Sequence, residues 1–586
     1  MDQTAKAQKK LAGNALSGMI ATIIYMVSRL LLTPFILHYI SLAEFGLWSL
    51  CFIILSYAGM GGFGVNSTYI RYAARYLAEG REKDISKLLS TGIAYMLSFS
   101  ILFCTGLYLI MPFILERFHI DKTQQELATT IFLGTAAVFG LELTLGGLRF
   151  IINGMHEFAR EKIVTTAAGL AEIVAMIAFL YFGAGIKGLL YAFAFKLVLE
   201  TASCWTIARS LLPSLRISWK LVSREHFRLF LGFGGKVQVL GILGIFLTVL
   251  DRMFITAISG LAAGGMFEIG RKFPSSAGGI STSAFGPFLS TAAHLEGNWT
   301  GNRTNPVSER ITTYLHIALT AAALAIVPIV FLPQVQHWLP ISTIPLAVVV
   351  SVAAIFLFFL LHQKIRNDNQ LDSKELKELY LNGIRFTNMI SSTLFFFLIA
   401  IAHPLIDAWV GKDYAAAADV MIFLSIAYPI QLGTGPVTMI FRGINRNGRE
   451  LEYMLIQLIL MVIWIPSATM EWGLTGAAAS IALSSIVSTS YFYWRSNATF
   501  LIRFREFIPH TIFPVFVPVV PALLVFAVTC LFPVSGRVPL ILEVLLCGCG
   551  YVLLALALFW AMVLDTEEKK KALELLPFAK QRNPLC

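Results

Sequence analysis

The chain of 586 residues is 57% hydrophobic and only 13% charged, with a mean hydropathy of +0.74 and a formal net charge of +11. Soluble domains carry about 25% charged residues, so a soluble globular class is excluded. Apolar runs of the roughly 20 residues that cross a bilayer recur from end to end. The class is a polytopic all-α membrane protein.

Lys6, Lys9 and Lys10 precede an apolar run that reaches Ile40. That run is too long for the core of a cleaved signal peptide, so it reads as a retained first span. In chain order the predicted spans are 15–40, 45–66, 88–115, 128–150, 163–182, 186–208, 229–258, 266–292, 311–333, 341–362, 384–406, 416–441, 453–470, 473–494, 511–532 and 538–563, about sixteen in all. Tight connectors such as FGAGIKG (182–188) and WGLTGA (472–477) make their neighbours antiparallel hairpins.

Of 45 lysines and arginines, only Arg117, Lys122, Lys187, Lys412 and Arg537 fall in the connectors opposite the N terminus. The positive-inside rule then places both termini in the cytoplasm. The positive charge is a topology signal on this reading, and no nucleic-acid partner is implied. The seven cysteines, mostly inside spans, have neither metal-ligand spacing nor a disulfide framework.

Six basic residues lie inside spans, where each charge costs about 3 kcal/mol on insertion scales. In the first span Thr22, Tyr25, Arg29 and Thr33 share one helix face. Arg29 is about 18 Å from the span's outer end at 1.5 Å per residue, near the midplane, and reads as cavity-lining. The seventh span contains GIFLTVLDRMFITAISG (244–260), with Asp251 beside Arg252. Adjacent helical residues do not face each other, so the two are not expected to form a mutual salt bridge. Arg252 shares a stripe with Gly241, Gly244, Thr248, Thr256 and Ser259 and is expected to face a wet cavity. Asp251 faces a neighbouring helix, a proton or a cation.

The eighth span sets one acid, Glu268, among two bases, Arg271 and Lys272. Lys236 lies near the cytoplasmic end and can snorkel. Lys196 and Glu200, four apart, are expected to pair. The candidate substrate-binding residues are therefore Arg29, Tyr25, Arg252, Arg271, Lys272 and Lys236. Unpaired positive charge of this kind suits a pyrophosphate, whose oxygens match the guanidinium fork. Asp251, Glu142 and Glu172 are the candidate ion-coupling acids.

An internal repeat is expected from SLAEFGLWSL (41–50) and GLAAGGMFEI (260–269), which share Leu, Ala and Gly at their second, third and sixth places. Both are turns at the same end of a hairpin, six spans apart, so the halves are parallel and related by an axis along the membrane normal.

SRLLLTPFILHYISLAEFGLWSL (28–50) with YAGMGGFGVNSTYIRYAARYLAEG (57–80) resembles the opening of the Wzx-type polysaccharide flippases of the MOP superfamily. That superfamily also holds the MATE drug exporters and the lipid II flippases. LDRMFITAISGLAAGGMFEIGRKFPSSAGGI (250–280) resembles the family's seventh and eighth helices, and MIFRGINRNGRELEYMLIQLILMVIWIPSATMEWGLTGAAASIALSSI (439–486) its helices ten to twelve. The resemblance covers most of 10–500 and implies export of an undecaprenyl-pyrophosphate-linked oligosaccharide, an O-antigen (lipopolysaccharide) or exopolysaccharide repeat unit. The implied place is the bacterial inner membrane, and the implied mechanism alternating access between two six-helix lobes. The chain departs from the family by two extra spans, 311–333 and 341–362.

The expected organisation is an N-terminal six-helix lobe (1–210), the first helix pair of the C-terminal lobe (211–295), the inserted pair (296–372), the rest of that lobe (373–500), and a C-terminal helix pair with a cytoplasmic tail (501–586). A coupling ATPase is not supported, since GFGGKV (232–237) lacks the phosphate-loop spacing and GMGGFG (59–64) follows no strand. Any uphill work would come from an ion gradient of protons or sodium, from the membrane potential, or from consumption of the product outside. No cofactor, metal or enzymatic activity is expected; a glycan polymerase is the expected protein partner, beside membrane lipids. The alternatives are a MATE-type cation-coupled multidrug exporter, for which a cavity rich in acids would speak, and a polytopic glycan polymerase or glycosyltransferase, for which a large outer loop would.

Overall fold

A computed structural model describes residues 27–295 and 373–575, apart from breaks at 60–62, 119, 156, 231–234, 445, 447 and 535 and scattered positions within 283–294. The side chains of 63, 64, 67, 235–243 and 571–575 are also outside that set. The inserted pair 311–333 and 341–362 and Tyr25 lie outside the described residues, as does the side chain of Lys236.

Eleven helical segments among the described residues are long and apolar enough to cross a membrane. Helix α1 spans 27–39. It is followed by α2 (Leu42–Gly59), α3 (Phe63–Ala78), α4 (Glu82–Arg117), α5 (Gln125–Leu145), α6 (Gly147–Gly154), α7 (Phe158–Tyr181), α8 (Gly185–Leu211), α9 (Arg224–Leu229) and α10 (Gly235–Thr282). After the undescribed stretch come α11 (Lys374–Ala400), α12 (Ala402–Trp409), α13 (Ala415–Leu432), α14 (Thr434–Gly443), α15 (Gly448–Thr499), α16 (Phe504–Phe507), α17 (Phe513–Phe516), α18 (Val519–Leu531), α19 (Arg537–Met562) and α20 (Thr566–Leu575). No strand occurs among the described residues.

The two longest helices are each a pair. Gly260 in α10 has φ +85° and Gly473 in α15 has φ +58°, conformations open to glycine and costly for other residues. Around Gly260 the chain reverses, so that Arg252 reaches Glu268 and a Cβ on Gly264 would strike the Thr256 side chain. Around Gly473, Ser480 donates to the Trp464 carbonyl at 3.3 Å and Gln457 to the Ser485 hydroxyl at 3.0 Å. Each glycine is the turn of a hairpin. The predicted span 45–66 ends earlier, at Gly59, and the next helix, α3, carries the arginines Arg71 and Arg75.

By its internal contacts the chain divides into two units, 1–269 with 465–477 and 270–464 with 478–586. In the first, α4 packs on α5 and α7 on α8, while α3 lies against α4 and α6. Its core joins Tyr69, Tyr76, Leu88, Leu89, Ile151 and Phe230. The connector after α8 is tied to α4: the N–H groups of Arg216, Ser218 and Ser223 donate to the hydroxyls of Ser86, Ser90 and Thr91. In the second unit α11 packs against α13, α14 and the run from 508 to 531, and α18 pairs with α19. Along α19 the buried residues Tyr551, Ala555 and Phe559 recur every fourth position, while Val538, Leu545, Leu546 and Leu553 stand exposed. An outward face of leucine and valine is the surface a bilayer solvates.

The two repeat segments meet within the first unit. A Cβ added to Gly46 would run into the backbone carbonyl of Leu261, and one added to Gly265 would lie 2.7 Å from the carbonyl oxygen of Leu42. Leu42 and Leu261 are equivalent positions of the repeat, as are Gly46 and Gly265. The contact is therefore reciprocal, each glycine facing the partner's leucine, as a twofold relation requires.

Candidate functional site

Arg29 on α1 is not an unpaired cation. Its Nη2 lies 2.8 Å from Oε2 of Glu172 on α7, with side-chain exposures of 31% and 2%. Glu172 sits nine residues from the end of α7, roughly 14 Å at 1.5 Å per residue, so the pair is well inside the span. A buried carboxylate of this kind costs several kcal/mol unless it is matched by a cation, and the guanidinium supplies the match.

The same unit holds three further pairs. Lys196 on α8 reaches Glu142 on α5 at 3.5 Å; Glu200, the partner the helical spacing suggested, lies within Coulombic range of Lys196 but hydrogen-bonds elsewhere. Glu200 instead accepts from Arg149 on α6 at 3.0 Å, and Arg149 also approaches Glu161 on α7 at 3.7 Å. Arg149 and Glu161 were not singled out by the sequence pattern. The signal was present: an arginine inside the otherwise apolar run LTLGGLRFIINGM.

In α10, Arg252 reaches Glu268 across the Gly260 turn at 3.4 Å and donates to the Thr248 carbonyl at 3.1 Å. The carboxylate of Asp251 accepts the backbone N–H of Arg252 at 2.7 Å, and Asp251 is buried. The two neighbours thus share a hydrogen bond through the backbone while their charged ends part, as the helical geometry requires. Arg271 and Lys272 belong to the second unit, half-buried, and each is already engaged in an interaction. Among the described residues no cluster of three or more His, Cys, Asp or Glu could hold a metal.

In the first unit Arg29–Glu172, Lys196–Glu142 and Arg252–Glu268 form a set of paired opposite charges carried by α1, α5, α7, α8 and α10, with the Asp251 carboxylate held beside it by the Arg252 backbone. Such a set can exchange partners: an anionic group with two charges can take a guanidinium from a single carboxylate, and the carboxylate left behind must take a proton or find another cation.

No family model matches the chain, and no curated protein matches it in sequence. Solved structures do. A lipid II flippase in its inward closed conformation is similar to the chain at TM-score 0.61 and 12% identity, over 93% of this chain and 99% of that one. A multidrug resistance MATE family transporter of the MOP superfamily, inward-facing, is similar at 0.48 and 14%, over 82% and 94%. A MOP superfamily transporter from Pyrococcus furiosus is similar at 0.45 and 16%, over 84% and 95%. The chain is a multi-pass helical membrane protein, and it shares with the lipid II flippase a fold that runs through nearly the whole of both.

Proposed function

We propose that the chain is a MOP-superfamily transporter that flips a lipid-pyrophosphate-linked oligosaccharide between leaflets by alternating access. The observation that carries this reading is the fold it shares with a lipid II flippase over 99% of that protein's length. The intramembrane Arg29–Glu172 pair supplies chemistry that fits it.

In this mechanism the substrate's pyrophosphate displaces Glu172 from Arg29. Two anionic phosphates gather more charge-assisted hydrogen bonds from a guanidinium than one carboxylate does. Glu172, still buried, then takes up a proton, so substrate and proton load together. Release of the headgroup on the other side lets the pair re-form and gives up the proton there; an inward proton gradient opposes that step, so the drive on this scheme is the membrane potential acting on the anionic headgroup or consumption of the product outside. Asp251 and Glu142, held by the Arg252 backbone and by Lys196, are the remaining acids that such a coupling could use. The glycan is an O-antigen or exopolysaccharide unit on this reading, with transport outward from the cytoplasmic leaflet of a bacterial inner membrane.

Reconstitution tests it. A fluorescent lipid-pyrophosphate-linked oligosaccharide in proteoliposomes should become accessible to an external quencher only when the protein is present. Arg29→Ala should slow this roughly ten- to a hundredfold, the loss of a charged hydrogen-bond partner. Failure of the wild type to move this lipid, in vesicles that expel a cationic dye, would overturn the reading in favour of a cation-coupled drug exporter.

A further inference from the structure

The connector that follows α8, residues 212–230, has two unlike faces. Leu212, Leu215, His226 and Phe230 are buried, and the three apolar ones belong to the core shared with α3, α4 and α6. The outward side mixes apolar and basic residues. Ile217, Trp219, Val222 and Phe227 stand exposed, Trp219 by 69%, among exposed Arg216, Lys220, Arg224 and Arg228. The backbone donors of Arg216, Ser218 and Ser223 that bond Ser86, Ser90 and Thr91 lay the segment along α4 over roughly 7.5 Å of its axis. The backbone is fixed and the inner positions are filled, so the outward apolar side chains cannot turn in.

The level of this segment in the bilayer follows from α8. The outward face of that helix exposes Tyr191, Phe195 and Val198, then Thr206 and Arg209, and the Arg209 guanidinium lies 5.5 Å over the Trp205 ring. An apolar face that ends in a tryptophan and an arginine marks where hydrocarbon gives way to headgroups. The connector begins three residues beyond Arg209 and lies in that layer.

Its charges are unbalanced. At the turn from α3 to α4, Arg75, Arg81 and Lys87 each come within 3.0 Å of Glu79 or Asp84. Arg216, Lys220, Arg224 and Arg228 make no ion pair among the described residues. Glu225 is the one acid of the segment, and Glu82 on α4 is engaged by the Ser214 hydroxyl at 2.9 Å. Bases interleaved with apolar side chains at headgroup level match a ligand with an anionic head and an apolar body. A soluble anion would meet the bases and leave Trp219 and Val222 against water; a lipid phosphate meets both.

We propose that this connector is a docking surface for anionic phospholipids, their phosphates on the four bases and the upper parts of their chains against Ile217, Trp219, Val222 and Phe227. The proposal does not rest on what the intramembrane charge pairs transport.

The test uses the full-length protein in phosphatidylcholine nanodiscs containing a minor fraction of a phosphatidylglycerol with a photoreactive diazirine near the top of its chain. Cross-links should concentrate in 212–230 rather than in 71–87, where bases are already paired. A photoreactive phosphatidylcholine at the same mole fraction should label 212–230 several-fold less. Lys220→Gln with Arg224→Gln should lower the apparent affinity, read by titrating the mole fraction of the lipid, roughly 25-fold, at about fivefold for each base near an anionic surface. Arg216→Gln with Arg228→Gln should do the same. None of the four has an ion pair to lose, so gel-filtration elution and thermal stability should stay at wild-type values. Equal labelling by the two lipids, or wild-type affinity in both double variants, would overturn the proposal. So would displacement by inorganic phosphate at fixed ionic strength, which assigns the surface to a soluble anion, or two chains joined through Lys220 by an amine cross-linker, which assigns it to a second copy.

Discussion

Replacing Gly46 by alanine tests whether the two repeat segments close the bundle at that end. The new methyl would fall inside contact distance of the Leu261 carbonyl oxygen and 2.7 Å from its carbonyl carbon. Both atoms are backbone, so no rotamer change relieves the clash, and the segments must part by an ångström or more. At Gly265 the obstruction is milder: the Leu42 oxygen at 2.7 Å and its Cδ1, at the flexible end of a side chain, at 3.0 Å. Overpacking of this kind costs about 1–3 kcal/mol, which lowers the population of the closed seam roughly 5- to 150-fold. The assay is labelling of a single cysteine at Leu261, in a background without the seven native cysteines, by a maleimide that cannot cross membranes. Gly46→Ala should speed labelling more than Gly265→Ala, and the double variant more than either. Gly106→Ala is the control, since nothing lies within 4 Å of a Cβ there; it should leave labelling unchanged. If Gly46→Ala and Gly106→Ala label at the same rate with equal thermal stability, the seam is not a closing contact and the reasoning fails.

Other outcomes follow from the same geometry. Glu172→Gln keeps the shape of the Arg29 partner but removes its charge, so headgroup flipping should persist while its dependence on a pH gradient disappears; an unchanged gradient dependence places the proton elsewhere. His226 on α9 is buried beside the Tyr76 hydroxyl at 3.4 Å, and burial lowers its pKa below the ordinary 6.5, with Glu225 and Asp84 opposing that shift and Lys87 and Arg81 reinforcing it. Its folded pKa is depressed, so its stabilising contribution is complete above about pH 6.5 and is lost as pH falls. Protection factors for hydrogen exchange in 216–230, referred to the intrinsic rate at each pH, should fall in acid, and His226→Phe should flatten that dependence. Gly260→Val forces a β-branched residue into φ +85° and should lower thermal stability by about 1–2 kcal/mol or more, read by unfolding in detergent. Arg385, which binds Glu568 at 2.7 Å and the Val563 carbonyl at 2.6 Å, fastens α20 to α11; Arg385→Ala should release 566–575 to proteolysis.

Much of the fold was legible because bilayer thickness and hydropathy impose it. Outside the inserted pair, the described part of each predicted span is largely helical, although 45–66 breaks after Gly59 and 511–532 begins in an irregular run. The hairpin turns were legible too, since WGLTGA marks the reversal at Gly473. The repeat was faint as letters, three matches in ten, because only the positions that touch are constrained. Gly46 and Gly265 must lack a side chain and Leu42 and Leu261 must present a carbonyl; the rest may drift. Charge pairing was the least legible. The i,i+4 rule offered Lys196 only Glu200, whereas the partners it and Arg29 take lie 54 and 143 positions away on other helices. Such partners are set by which helices adjoin, and helix adjacency is a property of packing. Pro509, Pro514 and Pro518, by contrast, already signalled the irregular run at the start of the span 511–532.

Pairing changes how the arginines can work. A standing excess of positive charge would bind an anion tightly and would hold it, since leaving would cost as much as arriving gained. A paired arginine binds by exchange, so the net affinity is only the difference between two anionic partners. That difference can be made small enough for release, while the carboxylate set free converts each exchange into a change of protonation. Arg29 and Glu172 have the geometry for this, with one guanidinium edge committed to the acid and the side chain still about a third exposed. On the proposed function the buried acid has a second role beyond stabilising its partner: it limits how strongly the site binds a substrate anion. Removing it should tighten substrate binding and slow turnover, the opposite of what removing an ordinary binding residue does.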